Sequence, residues 1–244
     1  MLPFESVLFD MDGTLVDTEP LWQQAEERLM AGFGVTWTEA DQAHCLGGST
    51  DRVARYMISL IERAGGRAPT PEQLADMFLD TMLQRLTAQP PQLQPGAGRL
   101  LREARDSGLP TALVTSSSRP LMDAVLAAIG SQWFDLAISA DDVTRHKPDP
   151  LPYLTAAAGL GVDVRRSVAL EDSPTGAGSA NAAGAFVVAV EHMAVIEPAD
   201  RRVIVTTLSG IGIDRLAELY EPPLTPSVTG SSGPAAPGQD PPTA

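Results

Sequence analysis

Short apolar runs recur along the chain, and most give way to a stretch with helical spacing. Val7, Leu8 and Phe9 end at Asp10. Residues 111–115 run into three serines, 136–139 into an acidic turn, and 168–170 into Glu171 and Asp172; 186–190 and 203–205 follow. Runs that are continuously apolar, rather than alternating, predict strands covered on both faces, as in a parallel sheet. The intervening segments carry helix stop signals: 98–106 is followed by Gly108, 120–129 by Gly130, and 151–158 by Gly159. This alternation predicts an α/β domain built on a doubly wound parallel sheet.

One long stretch breaks the alternation. Between residues 17 and 90 no strong strand appears, but helical periodicity is present over 21–33, 51–64 and 71–87, the last opened by Pro71. The pattern predicts a helical domain over 17–90 inserted into a core formed by 1–16 and 91–221, with hinges at 17–20 and 89–95. Residues 222–244 are dominated by Pro, Gly, Ser and Thr. They cannot bury enough surface to offset their ordering entropy, so a disordered tail is expected.

Charge narrows the function. Seventeen basic residues against 31 acidic ones leave a net charge of −14, which repels nucleic-acid backbones and anionic lipid. A small phosphorylated ligand is still compatible, because a bound ion or one local cation can reverse the sign at a site. The single cysteine, Cys45, rules out an intramolecular disulfide. The N-terminus lacks a basic n-region, and the apolar run at 182–190 is too short to span a bilayer. A soluble, cytoplasmic protein is expected, as a monomer. One further count stands out: Lys147 is the only lysine among those 17 basic residues. An ammonium does things a guanidinium cannot, so its position bears on chemistry.

The candidate chemistry sits at the strand ends, where ligands of open parallel sheets bind. Asp10-Met11-Asp12-Gly13-Thr14 places two carboxylates two residues apart after the first strand, before a glycine that permits a tight turn. Thr115, Ser116 and the serines after them offer hydroxyls and amides at a helix start, a phosphate cradle. Lys147 lies on a segment that Pro148 and Pro150 keep rigid, and Glu171 and Asp172 close the fourth strand. Each of these alone reads equally well as a turn or a helix cap. Together they assemble hard oxygen ligands suited to Mg²⁺ and a carboxylate able to attack phosphorus.

These residues, in this order and at these separations, resemble the motifs of the haloacid dehalogenase superfamily of phosphotransferases, in the group with a helical cap inserted after motif one. Asp10, Asp12 and Thr14 match motif one, Thr115 motif two, Lys147 through Pro150 motif three, and Glu171 with Asp172 motif four. The likeness spans about residues 4–215, and the stretch from Asp17 to Trp22 is similar to hexitol and 2-deoxyglucose-6-phosphate phosphatases. The resemblance implies that Asp10 is the nucleophile and Asp12 the general acid and base. It also implies Mg²⁺ held by Asp10, the Asp12 carbonyl and Asp172, with Glu171 close by or acting through water. Thr115 and neighbouring groups such as Ser116 would bind phosphoryl oxygens, and Lys147 would neutralise charge.

The cap region discriminates among relatives. Phosphonate-cleaving members use a cap lysine, and residues 17–90 contain none. The dehalogenase branch lacks the second aspartate of motif one, which is present here as Asp12. Phosphoglucomutase-like members share all four motifs but carry basic cap groups for a second phosphate. Here the corresponding loop is Gly47-Gly48-Ser49-Thr50, with Trp22 where those members place a histidine. The expectation is therefore a Mg²⁺-dependent phosphatase acting on a small sugar or polyol phosphate through an aspartyl-phosphate. The loop, Trp22 and Glu19 would recognise the leaving group. The alternatives are a phosphosugar mutase and a non-catalytic sensor of a phosphorylated ligand.

Overall fold

The computed structural model describes residues 2–45, 50–191 and 194–222. In chain order, β1 (Ser6–Phe9) leads to β2 (Val16–Asp17), the helices α1 (Glu19–Gly32), α2 (Glu39–Cys45), α3 (Thr50–Arg63) and α4 (Pro71–Ala88), and β3 (Gln92–Leu93). There follow α5 (Ala97–Asp106), β4 (Thr111–Val114), α6 (Arg119–Ile129), β5 (Leu136–Ile138), α7 (Leu151–Leu160), β6 (Ser167–Glu171), α8 (Pro174–Ala183), β7 (Phe186–Val190), β8 (Arg202–Val205) and α9 (Ile213–Leu219).

All six apolar runs are strands of one parallel sheet, in the order β5-β4-β1-β6-β7-β8. The chain places β4 and β5 on one side of β1, then crosses to place β6, β7 and β8 on the other. That reversal of direction falls at β1, and the carboxyl end of such a switch point is where doubly wound sheets take ligands. Both faces are covered, which explains the lack of alternation in hydropathy. Val7, Phe9, Leu113, Leu170 and Val188 point into one buried cluster shared with α5, α6 and α9. Leu8, Ala112, Val114, Ala169 and Val187 point into the other, beneath α7 and α8.

The inserted helices have a core of their own, with Leu29, Met30, Trp37, Met57, Ile61 and Leu74 at its centre. α4 starts as its sequence predicts. Pro71 occupies the first turn, and Thr70 and Gln73 form a reciprocal capping box. Two features escaped the periodicity. The helix α2 is only seven residues long and largely polar. The segments predicted as hinges, 17–20 and 89–95, are tied together by an antiparallel ribbon, Val16 opposite Leu93 and Asp17 opposite Gln92. The lower parts of α1 and α4 also reach the main core, where Leu21, Ala25, Met82 and Leu86 are buried with the sheet residues.

One predicted stop is displaced. α7 runs through Gly159 to Leu160 and is capped by Gly161 at φ 71°. Gly159 is small for a packing reason: a Cβ there would lie 2.5 Å from Leu136 Cδ2 on β5. Residues 223–244, and Gly47, Gly48 and Ser49 of the loop singled out above, lie outside the described residues. Among the described residues no helix is long and apolar enough to cross a membrane.

Glu26, on α1, is 6 % exposed, and its Oε2 has no hydrogen-bond partner among the described residues. Burial pushes its carboxyl up from 4.5 to about 7; hydrogen bonding from Gln42 and Trp37 counters this in part, while Glu19 and Glu27 add to it. The fold therefore favours the protonated form. This contribution to stability is complete below pH 4.5 and is lost as pH rises through about 7. Glu26→Gln should raise the melting temperature at pH 8 and leave it nearly unchanged at pH 4.5, as followed by circular dichroism; equal effects at the two pH values would contradict this origin.

Candidate active site

Asp10 follows the last residue of β1. Its amide donates to the Leu170 carbonyl (3.0 Å), which extends the ladder by one residue and fixes the side chain at the carboxyl end of the sheet. Lys147 reaches the same point from the loop between β5 and α7. Its Nζ donates to Asp10 Oδ1 (2.7 Å), Glu171 Oε1 (2.6 Å) and the Val114 carbonyl (2.9 Å). An ammonium has three protons, and all three are engaged. With a side chain only 4 % exposed, this cation is a buried fixture of the site. Opposite charges on Asp10 and Glu171 outweigh the cost of burial and hold its pKa above the ordinary lysine value.

Glu171 is fully buried and completely partnered. Tyr153 Oη donates to Oε1 (2.6 Å), the atom that also receives Lys147, and Ser173 Oγ donates to Oε2 (3.3 Å). Gly176, in the first turn of α8, lets the helix approach: a Cβ there would stand 2.0 Å from both carboxylate oxygens. Asp172 is packed just as tightly against motif one. Gly13 adopts φ +81°, and a Cβ on it would fall 1.9 Å from Asp172 Oδ2. Thr14 Oγ1 donates to Asp172 Oδ1 (3.2 Å).

Oxygens of Asp10, Glu171 and Asp172 lie within 4.8 Å of one another. Burial, followed by the charge of Glu171, holds the Asp10 carboxyl well above the usual carboxylate range, despite Lys147. Burial and the charges of Asp10 and Glu171 do the same to Asp172. Three carboxylates face one ammonium, so the cluster is short of positive charge. A hard divalent cation such as Mg²⁺ fits that deficit and the all-oxygen donor set. The oxygens left for it are those of Asp10 and Asp172, because among the described residues Glu171 is occupied by Lys147, Tyr153 and Ser173.

Asp12 stands apart from that cluster. Thr18 Oγ1 donates to its Oδ1 (2.7 Å), and Ser117 Oγ donates to its Oδ2 (2.7 Å), with Thr115 Oγ1 at 3.4 Å. The two aspartates of motif one thus have different environments, one beside an ammonium and the other among hydroxyls. Thr18 is also the residue immediately before α1, so a side chain at the entry to the inserted helices touches Asp12 directly.

The other predicted residues are placed as follows. Thr115 is buried and accepts the Ser117 amide (3.0 Å). Ser116 is exposed, while Ser117 makes the contact with Asp12. The amides of Ser117 and Arg119 are both engaged, the latter by Asp141, so the serine run is less open as a cradle than its composition implies. Glu19 is half-buried near motif one; burial raises its pKa, and the charges of Asp12 and Asp17 add to the effect. Trp22 is half-buried and stacks on Phe78 of α4, with centroids 5.4 Å apart. Thr50 begins α3. Sequence reasoning did not single out Ser117, Thr18 or Tyr153. A hydroxyl two residues beyond Thr115 and an aromatic in the first turn after Pro150 were the available signals.

The chain belongs to the haloacid dehalogenase-like hydrolases, whose family profile matches residues 7–190. It is 32 % identical over 198 residues to Protein CbbY of Rhodobacter capsulatus, covering 77 % of this chain and 85 % of that one. It is likewise 32 % identical over 173 residues to hexitol phosphatase B of Escherichia coli K12, covering 70 % and 76 %. Among solved structures, CbbY of Rhodobacter sphaeroides in complex with xylulose-(1,5)bisphosphate superposes with a TM-score of 0.72 at 27 % identity, over 86 % of this chain and 96 % of that one.

Gly13→Ala tests the contact between motifs one and four. The left-handed backbone and the overlap with Asp172 should together cost about 1–3 kcal/mol. That lowers the melting temperature by roughly 2–10 °C in a domain of this size. An unchanged melting temperature in calorimetry would show that the turn is not under this constraint.

Proposed function

We propose that the protein is a phosphatase for small phosphorylated sugars or polyols, working through a phosphoryl group carried briefly on Asp10. The observation that supports this most directly is the Lys147 ammonium, 2.7 Å from Asp10 Oδ1 and bonded to nothing outside Asp10, Glu171 and Val114 among the described residues. The second oxygen of Asp10 has no hydrogen-bond partner among the described residues, which leaves it available to attack phosphorus. A lysine here neutralises the nucleophile without competing for it as a base, because its own proton affinity is raised.

Asp10 forms a bond to phosphorus as the bond from phosphorus to the ester oxygen breaks. Asp12 gives its proton to the departing oxygen and becomes a carboxylate. It then takes a proton from a water molecule whose oxygen attacks the same phosphorus, releasing inorganic phosphate and restoring Asp10. Two carboxylates in unlike surroundings can divide nucleophilic and acid–base work in this way. Donation from Thr18 and Ser117 orients Asp12 between the hinge of the cap and the core. Asp10 and Asp172 would hold Mg²⁺, which supplies positive charge that lets a phosphate dianion approach a carboxylate.

The relatives support this substrate class: one is named a hexitol phosphatase, and another was crystallised with xylulose-(1,5)bisphosphate. Residues 17–90 act as the cap, with Trp22 and Glu19 near its hinge and the loop from Gly47 to Thr50 as recognition elements for the leaving group. Closure of such a cap would exclude bulk water. Soluble expression and action in the cytoplasm belong to the same reading.

Asp10→Asn should abolish turnover of p-nitrophenyl phosphate, by at least about 10³-fold, with the circular dichroism spectrum retained. Wild-type turnover by this variant would exclude the covalent route. A panel of sugar and polyol phosphates assayed with Mg²⁺ should identify substrates. Isomerisation of β-glucose 1-phosphate in the presence of a bisphosphate primer, without net phosphate release, would instead identify a mutase.

A further inference from the structure

The pairing between Lys147 and Glu171 has a third member that the reaction outlined above does not use. Tyr153, in the first turn of α7, is fully buried, and its hydroxyl donates to Glu171 Oε1 at 2.6 Å. Lys147 Nζ donates to the same atom at 2.6 Å and lies 5.2 Å from the centroid of the Tyr153 ring. One oxygen thus takes two short, strong donors, one neutral and one charged, while the ring lies against the ammonium. The only other hydrogen bond to the Glu171 carboxylate among the described residues is the longer one from Ser173. Burial and the Glu171 charge raise the phenol's pKa well above the ordinary tyrosine value.

We propose that Tyr153 is a positioning residue whose hydroxyl anchors Glu171 and thereby sets where the Lys147 ammonium stands against Asp10. Without the hydroxyl, Glu171 Oε1 answers to Lys147 alone. The carboxylate then keeps only the Lys147 and Ser173 donors, and the ammonium, shared between Glu171 and Asp10, shifts with it. The tyrosine does not touch the reacting atoms; its effect passes through Glu171. A purely structural role would need only the ring, which phenylalanine supplies.

The inference rests on the phosphatase reading for its kinetic consequence, but the geometry can be read without turnover. Because the chain has one lysine, selective ¹⁵N-lysine labelling gives a single side-chain ammonium resonance, that of Lys147. Tyr153→Phe should shift this resonance and speed the exchange of its protons, in the absence of substrate. In kinetics with p-nitrophenyl phosphate, Tyr153→Phe should lower kcat about tenfold with KM changed less than about twofold, as expected for loss of a hydrogen bond to a charged group. In a Glu171→Gln background, the same substitution should add less than about twofold. An unmoved lysine resonance overturns the proposal, as does a kinetic loss equally large in both backgrounds. A moved resonance in a protein that hydrolyses no phosphate ester would keep the positioning role and refute the phosphatase reading. If Tyr153→Phe does not fold, biosynthetic replacement of the tyrosines by 3-fluorotyrosine retains every ring and strengthens the phenol as a donor. The Lys147 resonance must then still move, and a stationary one refutes the role.

Discussion

The site depends on one buried ammonium. Lys147 stands among Asp10, Glu171 and Asp172, and its three protons satisfy two carboxylates and the Val114 carbonyl at the end of β4. Without it, three acidic groups would crowd one small volume with no internal counter-charge. An arginine could not replace it, since a planar guanidinium has neither the size nor the tetrahedral disposition of donors that these three acceptors require. Much of the surrounding structure follows from bringing this cation and its partners together. The carboxyl ends of β1, β4 and β6 are adjacent, the loop after β5 reaches across them, and glycines at positions 13 and 176 let Asp172 and Glu171 pack against neighbouring backbone.

The two aspartates of motif one illustrate how local environment divides similar groups. Asp10 sits where burial and neighbouring carboxylates raise its proton affinity and one ammonium opposes them. Asp12, two residues further on, is held instead by hydroxyls from Thr18, Ser117 and Thr115. Thr18 also begins α1, the first of the inserted helices. The residue proposed to carry protons is therefore in contact with the segment where those helices join the core. The ribbon pairing β2 with β3 ties the entry and exit of the insertion together at the same place.

Much of this was legible in the chain. Six continuously apolar runs are the six parallel strands, because a sheet covered on both faces has no polar side to write into the sequence. The chemistry-bearing residues at their ends are adjacent because sheet order places the carboxyl ends of β1, β4 and β6 side by side. What escaped has equally physical causes. The helix α2 is too short and too polar to show a period. β2 and β3 are two residues each and are defined by their pairing with one another. Gly159 carries the composition of a helix stop but serves close packing against Leu136. Ser117 and Tyr153 act through hydroxyls aimed at carboxylates more than ten residues away, a relation that no local pattern contains.

Family membership and the geometry of the acidic cluster together narrow the reaction more than either does alone. The same fold carries several outcomes: release of phosphate separates a phosphatase from a mutase, and the covalent route itself rests on whether Asp10 is bonded to phosphorus during turnover. Acid quenching of the enzyme while it turns over a phosphate ester radiolabelled in its phosphoryl group, followed by peptide mapping, tests this directly. The account predicts label on the peptide that contains Asp10, and its absence from the Asp10→Asn protein. Undiminished turnover with no label on the wild-type chain would contradict it.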